Sequence, residues 1–160
     1  MPDAIRITPA TPGDVPVILS FIRELAQYEK LLDRVTATEQ LLRHTLFGPR
    51  PYAEVLIARL GERPVGYALF FHNYSTFLAR PGIYLEDVYV RPASRGRGVG
   101  KALLREVARV ARERDCGRLE WSVLDWNQPS IDFYLSLGAK ALDEWTMYRM
   151  DEAAIAALAK

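Results

Sequence analysis

The feature that most constrains the fold of this chain is a glycine-rich stretch near its middle, Arg95 to Lys101. It follows an apolar, β-branched run at residues 83–90 and precedes a long amphipathic run at residues 102–114. A strand, a glycine loop and a helix start, in this order, suit an anion bound by backbone N–H groups at a helix N-terminus. The glycines allow close approach of a ligand, and Arg95, Arg97 and Lys101 add positive charge. The sequence therefore predicts a phosphate or pyrophosphate site, with a solvated basic turn as the alternative.

The size and composition of the chain predict one soluble domain. It has 160 residues, of which 49% are hydrophobic and 26% are charged. These values are ordinary for a globular protein, so residues 1–160 are predicted to form one domain with its own core. The net charge is +1, so nothing attracts the whole chain to nucleic acid or to a membrane, and any basic site must be local.

The cysteine and histidine content and the hydropathy of the sequence predict a cytoplasmic protein without a metal site. The single cysteine, Cys116, excludes an internal disulfide and fits a reducing, cytoplasmic location. No apolar run approaches the roughly 18 residues of a membrane span, and no signal-peptide pattern opens the sequence. His44 and His72 have no partners at metal-ligand spacing, so no metal site is predicted.

Hydrophobic periodicity predicts an α/β chain. Strands are predicted at residues 5–8, 53–60, 65–72, 82–90, 118–124, 139–142 and 145–150, and residues 73–82 are predicted to form a loop. Helices are predicted from Pro12 to about Tyr28, from a capping box at residues 36–39 to Gly48, and at residues 102–114, 130–137 and 151–160. This order predicts a mixed sheet with helices on both faces.

Two familiar phosphate-binding loops do not match the glycine stretch. The P-loop needs a glycine five positions before the Gly-Lys pair and Ser or Thr after it, whereas Arg95 and Ala102 stand there. The dinucleotide fingerprint Gly-x-Gly-x-x-Gly is matched only weakly, because Gly100 comes one residue too soon. The acid that this fingerprint also needs has only Glu120 as a candidate, which lies in or opens a predicted strand.

The pattern that does fit is Arg-x-x-Gly-x-Gly, formed by Arg95, Gly98 and Gly100. It resembles the pyrophosphate loop of the GNAT superfamily of N-acetyltransferases, which bind acetyl-CoA. The chain is most similar to the diamine (spermidine/spermine) and thialysine N-acetyltransferase group, and the further matching segments are residues 23–29, 84–87 and 126–134. The resemblance covers nearly the whole chain. It implies a mixed, mostly antiparallel sheet with helices on both faces, and a homodimer whose C-terminal strands, here residues 145–150, cross or pack between subunits.

The resemblance implies a site for acetyl-CoA as co-substrate, with no metal. The residues it assigns to this site are Val88, Tyr89, Val90, Arg95, Gly96, Arg97, Gly98, Val99, Gly100, Lys101, Asn127, Pro129 and Ser130. Backbone groups near Val88 would pair with the pantetheine arm and polarise the thioester. Asn127 would bind the arm of the cofactor, or else is only a turn residue before Pro129. Ser130 would cap the short helix that follows, with or without a cofactor contact.

Acetyl transfer to an amine needs a base for the amine, a donor for the developing oxyanion and a proton for the leaving thiolate. Glu86 is the predicted base, directly or through a water, because a carboxylate in an apolar strand suits a cationic amine. In a regular strand Asp87 would point to the opposite face, although the resemblance implies a bulge here. Tyr134 is the predicted general acid because a phenol is protonated at neutral pH. The alternatives are a rim carboxylate for Glu86 and a packing aromatic for Tyr134.

The predicted acceptor pocket is anionic, because carboxylates at intervals would select the ammonium groups of a polyamine. Its predicted members are Tyr28, Glu29, Glu86, Asp87, Glu120, Trp121, Ser122 and Glu144. Residues 120–122 and 75–81 depart from the polyamine enzymes, so the acceptor stays open among a diamine, a polyamine and a lysine- or thialysine-like molecule. The alternative functions are acetylation of a protein or peptide amine and a non-catalytic acyl-CoA-binding module.

Overall fold

The computed structural model describes residues 4–160, which form two compact units. The first unit ends at Ser122, and the second is Val123–Lys160. The first contains a five-stranded sheet and three α-helices, and the second contains two α-helices. The single domain predicted for residues 1–160 stays a prediction, and residues 1–3 of it lie outside the described part of the chain.

The sheet of the first unit is an antiparallel meander to which one crossover connection adds a parallel last strand. Its strands, in spatial and in sequence order, are β1 (Ile5–Pro9), β2 (Glu54–Leu60), β3 (Arg63–Ser75), β4 (Arg80–Val90) and β5 (Leu119–Glu120). Strands β1 to β4 pair antiparallel, and β5 pairs parallel to β4 because helix α3 (Val99–Glu113) connects them. The mixed, mostly antiparallel sheet is confirmed.

Helices cover both faces of this sheet, as the sequence predicted. On one face, α1 (Val15–Tyr28) and α2 (Glu39–Phe47) pack on β2 and β3, and Phe21 is fully buried in the same core as Tyr67. On the other face lies α3, since a Cβ at Gly66 of β3 would be 3.4 Å from Leu103 Cδ1. The same Cβ would be 2.6 Å from the Tyr89 carbonyl oxygen, so only glycine permits this approach of β3 to β4.

Three predictions for the first unit are wrong in detail. Residues 73–82 are mostly strand, because the ladder between β3 and β4 continues to Ser75 and Arg80. Helix α2 is capped by Thr38, whose Oγ1 accepts a hydrogen bond from the Leu41 N–H at 3.2 Å. Glu39 is therefore the first residue of the helix and not its third, as the capping box at residues 36–39 required. The strand predicted at residues 118–124 is reduced to the two residues of β5, because pairing with β4 stops there.

The second unit contains α4 (Gln128–Ser136) and α5 (Glu152–Leu158). Asp151 caps α5, since its Oδ1 accepts a hydrogen bond from the Ala154 N–H at 2.9 Å. The strands predicted at residues 139–142 and 145–150 are wrong. A strand needs a hydrogen-bonded neighbour, and no strand of the described chain pairs with these residues. Their apolar side chains, apart from that of Ala139, are exposed, Tyr148 by 91%.

Candidate active site

Strand β4 contains a bulge at the two acidic residues that the sequence singled out. Leu69 pairs with Asp87, but the next residue of β3, Phe70, pairs with Leu85, so Glu86 is the extra residue. Glu86 is exposed and Asp87 is partly buried. The strict alternation of a regular strand therefore does not apply to this pair, and the bulge implied by the resemblance is present.

Asp87 accepts a hydrogen bond from a residue that the sequence did not single out. The Tyr67 hydroxyl donates to Asp87 Oδ2 at 2.5 Å. The Tyr67 side chain is fully buried, and its ring stacks on that of Phe21 with 5.2 Å between the centroids. The one signal in the sequence was a tyrosine at an inward-facing position of an apolar strand, because a buried phenol needs a partner for its O–H.

Three carboxylates from two elements lie near one another and are called the acidic cluster: Glu29, Glu86 and Asp87. Glu29 follows directly on the last residue of α1, and burial together with the charges of Asp87 and Glu86 raises its pKa. Burial also raises the pKa of Asp87, while the hydrogen bond from Tyr67 acts in the opposite direction. The effect of Asp87 and Glu86 on Glu29 means that like charges repel one another here, so a bound cation would be favourable.

The glycine loop leads directly into α3. Gly96 and Gly98 have φ angles of 76° and 83°, which favour glycine, and Gly98 is the N-cap of the helix. Gly98 provides no side-chain cap, so the first N–H groups of α3 stay available. A Cβ at Gly100 would meet only Val90 Cγ2, at an ordinary 3.7 Å, so packing does not require glycine there. The bare backbone at this helix end fits a pyrophosphate.

The basic residues of the loop differ in their surroundings. Arg95 donates from Nε to the Val90 carbonyl oxygen at 2.9 Å, and its guanidinium lies 5.3 Å from the ring centroid of Tyr28 and 5.7 Å from that of Tyr89. Arg95 thus links the loop to the end of α1. Arg97 and Lys101 are exposed. Their contacts with a phosphate stay a prediction.

The edge of β4 beyond the bulge is open on the side of β5. The two strands pair only through Ile83 with Leu119 and Tyr84 with Glu120. On the other side, the Arg91 N–H donates to the Val65 carbonyl oxygen at 2.8 Å, so the alternation of an antiparallel ladder directs the backbone groups of Val88 away from β3. No strand of the described chain covers them, and an extended ligand can add there as a strand does.

The predicted acceptor residues on and after β5 make contacts within the sheet. Glu120 Oε1 accepts a hydrogen bond from Asn73 Nδ2 at 3.3 Å. Ser122 Oγ and the Tyr84 hydroxyl are 2.8 Å apart. Trp121 between them is partly buried. These contacts give Glu120 and Ser122 a role in joining β5 to β3 and β4, and their contact with an acceptor stays a prediction.

The other predicted site residues lie in the second unit. Asn127 is buried and is the N-cap of α4, because its Oδ1 accepts a hydrogen bond from the Ser130 N–H at 3.4 Å. The suggestion that Ser130 caps this helix is therefore wrong, since α4 begins before Ser130, with Pro129 in its first turn. Tyr134 is partly buried on α4, with its ring centroid 5.9 Å from that of Phe133. Glu144 is exposed, outside helix and strand.

Residues 4–160 contain neither a membrane-spanning helix nor a cluster of metal ligands. None of the helices there combines the length and the apolar character needed to cross a bilayer. Over the same residues, no three side chains of His, Cys, Asp or Glu are arranged to hold a metal ion.

Known proteins resemble this chain over nearly its whole length. The model of the acetyltransferase (GNAT) family matches residues 20–139. A thialysine N-epsilon-acetyltransferase of Bos taurus is 42% identical over 97% of each chain, and an L-ornithine N5-acetyltransferase of Arabidopsis thaliana is 34% identical over 97% of this chain and 88% of its own. Among solved structures, an integron cassette protein from the mobile metagenome of V. cholerae aligns with a TM-score of 0.81 and 26% identity over 98% of both chains.

The chain therefore belongs to the acetyltransferase (GNAT) family, and it is an N-acetyltransferase.

Proposed function

We propose that this enzyme transfers the acetyl group of acetyl-CoA to the primary amine of a small cationic acceptor. The observation that carries the proposal is the acidic cluster, in which burial and mutual repulsion raise the pKa of Glu29. An ammonium group bound there would relieve that repulsion and would be selected over neutral and anionic molecules. The relatives named for thialysine and L-ornithine support an acceptor with a side-chain amine, and a diamine or polyamine has the same reactive group.

The proposed co-substrate site combines two features of the first unit. The N–H groups at the start of α3, together with Arg97 and Lys101, would hold the pyrophosphate. The open edge of β4 would hold the pantetheine arm through the backbone of Val88. Acetyl-CoA supplies the activated thioester carbonyl.

In the proposed chemistry two protons leave the acceptor nitrogen and one reaches the sulfur of CoA. Glu86, directly or through a water, accepts the proton that the acceptor ammonium must lose before its nitrogen can attack. The new C–N bond forms as the C–S bond breaks, and the Val88 N–H donates toward the thioester oxygen. The attacking nitrogen releases its second proton to solvent. Tyr134 gives its phenolic proton to the departing thiolate, because a phenol is protonated at neutral pH, and it regains a proton from solvent.

An acceptor panel read by release of free thiol tests the function. It contains thialysine, L-ornithine, lysine, 1,4-diaminobutane, spermidine, an aminoglycoside and a lysine-containing peptide, each at saturating acetyl-CoA. Turnover of the small cationic amines well above the peptide supports the proposal. Preference for the peptide would favour acetylation of a protein amine. Binding of acetyl-CoA without thiol release from any amine would contradict it and favour the non-catalytic module.

The acid is tested by Tyr134→Phe, with Tyr52→Phe as the control because Tyr52 is 61% exposed and outside the proposed site. Loss of a general acid is expected to lower kcat by about 100-fold and to leave the Kd of acetyl-CoA unchanged. An unchanged kcat would show that Tyr134 is not the general acid.

The base is tested by Glu86→Gln, which is expected to lower kcat/KM near pH 7 and to flatten the pH dependence of kcat/KM.

The homodimer and the cytoplasmic location belong to the same proposal. Residues 145–150 expose Trp145 by 75% and Met147 by 64%, which supports their contact with a second copy of the chain. Light scattering is expected to give the mass of two chains, and the mass of one chain would contradict the dimer.

The lone Cys116 supports the cytoplasmic location, because a chain with one cysteine has no internal disulfide and suits a reducing compartment.

A further inference from the structure

Tyr67 of β3 has no part in the chemistry described so far, yet it occupies a distinctive position. Its ring is fully buried between the strand and α1, where it stacks on Phe21. Its hydroxyl donates to Asp87 Oδ2 at 2.5 Å, so the polar tip of a core residue reaches the acidic cluster. Tyr67 is therefore fixed by the core at one end and bonded to a carboxylate of the proposed acceptor site at the other.

This hydrogen bond constrains Asp87 in two ways. Asp87 lies next to the bulge at Glu86, where the ladder alone does not fix the direction of the side chains. The bond from Tyr67 restricts the rotation of the carboxylate and occupies Oδ2, which leaves Oδ1 to accept a further hydrogen bond. A phenol held rigidly by stacking loses little freedom when it makes this bond.

We propose that Tyr67 is a positioning residue for the acceptor, which holds Asp87 so that Oδ1 binds the acceptor ammonium group. This inference rests on the proposed function, because the acceptor is the ligand that Asp87 is held to receive. It assigns the selection of a primary ammonium to a pair of residues from adjacent strands, Tyr67 and Asp87. Tyr67 itself acts only through the carboxylate.

The charges around Asp87 determine how loss of the hydrogen bond from Tyr67 changes the pH profile of the enzyme. The groups that face it are Tyr67 from β3, Glu29 from the end of α1 and Glu86 from its own strand. Burial raises the pKa of Asp87, and the Tyr67 bond lowers it. Removing the bond therefore raises this pKa further, so Asp87 takes up its proton at a higher pH and loses its attraction for a cation there.

The test compares Tyr67→Phe, which keeps the stack on Phe21, with the control Tyr74→Phe on the same strand, where the side chain is 64% exposed. With thialysine as acceptor, Tyr67→Phe is expected to raise KM about tenfold at pH 7, the size of one hydrogen bond to a charged group, and to change kcat less than about threefold. The acidic limb of kcat/KM is expected to move to higher pH. A wild-type KM and pH profile would overturn the proposal.

A double-mutant cycle separates positioning from a general packing effect. If Tyr67 acts through Asp87, then Tyr67→Phe changes KM less than about twofold in an Asp87→Asn background. A full tenfold change in that background would overturn the proposal, because Tyr67 would then act independently of Asp87.

Carboxyl ¹³C NMR of the full chain gives a readout that needs no turnover. Tyr67→Phe is expected to raise the pKa of Asp87, and 2,3-difluorotyrosine at position 67, a stronger donor, is expected to lower it. The fluorinated chain also serves if Tyr67→Phe fails to fold, and an unchanged pKa in both chains would overturn the proposal. Absence of wild-type turnover on the acceptor panel would instead count against the proposed function.

Discussion

Two glutamates five residues apart, Glu24 within helix α1 and Glu29 directly after its last residue, have opposite electrostatic surroundings. Glu24 accepts hydrogen bonds from Arg91, whose Nη2 lies 3.0 Å from Glu24 Oε2 and whose guanidinium lies 4.6 Å from the ring centroid of Phe21. Glu29 instead lies near Asp87 and Glu86, and its pKa is raised. The first arrangement joins α1 to the end of β4. The second gathers like charges at a cost in stability, which is typical of a binding or catalytic site.

The largest expected effect is the loss of a charge from the acidic cluster. Asp87→Asn is expected to lower kcat/KM for a cationic acceptor about 100-fold, because it removes the carboxylate that pairs with the ammonium group. The acceptor panel at saturating acetyl-CoA measures this, and Asp33→Asn, at an exposed position, is the matched control. If kcat/KM of Asp87→Asn stayed within about threefold of wild type, the carboxylates near Glu29 would not be a binding site for the acceptor.

The next effect concerns stability alone. Arg91→Ala is expected to lower the free energy of unfolding by about 2 kcal/mol, because Glu24 and Ser20 lose their partner, and this is less than for a fully buried pair. Tm should fall by about 4–8 °C. Calorimetry measures the loss, and kcat/KM at 25 °C is expected to stay within about threefold of wild type. Loss of activity at unchanged Tm would assign Arg91 to the site instead.

A smaller effect, of opposite sign, is expected at Glu29. The folded-state pKa of Glu29 is raised above its ordinary value of 4.5, so its ionisation removes stability as pH rises through that window. Glu29→Gln abolishes this loss and is expected to stabilise the fold by about 0.5 kcal/mol at pH 7, a small figure because solvent screens a partly exposed group. The gain should vanish below pH 4.5, and acceptor KM should rise. A variant less stable than wild type at pH 7 would show that Glu29 is not repelled by its neighbours.

The smallest effect is a dependence on salt. Raising ionic strength from about 0.05 M to 0.3 M shortens the screening length and should raise acceptor KM about twofold in the wild-type enzyme. Steady-state kinetics with 1,4-diaminobutane measures this, with a neutral pH buffer of fixed composition. The same change is expected to be absent in a Glu29→Gln, Asp87→Asn double variant, and an equal change there would place the acceptor elsewhere.

What the sequence could predict depended on how local the signals are. The glycine loop, the amphipathic face of α3 and the acidic residue in β4 are each visible within about ten consecutive residues. The bond between Tyr67 and Asp87 joins residues twenty apart, and it depends on the register of β3 and β4 and on the bulge at Glu86. The hydrophobic pattern of a single segment does not determine how β3 pairs with β4, so the sequence could not predict this bond.

The wrong predictions have the same origin. Residues 145–150 have the composition of a strand, but strand structure also needs a neighbour, which composition does not provide. Thr36 and Thr38 are the same residue type, so residue type alone does not distinguish them, and Thr38 is the one that caps α2. Asn127 takes the cap expected of Ser130 because α4 begins two residues earlier than its apolar pattern indicates.

The most direct measurement is a crystal structure of the enzyme with CoA and the best amine of the acceptor panel. The acceptor nitrogen is expected to lie about 2.7–3.2 Å from Asp87 Oδ1, with the Tyr67 hydroxyl still bonded to Oδ2. An acceptor nitrogen more than about 6 Å from every carboxylate of the acidic cluster would contradict it, because the charges would then have little effect on binding.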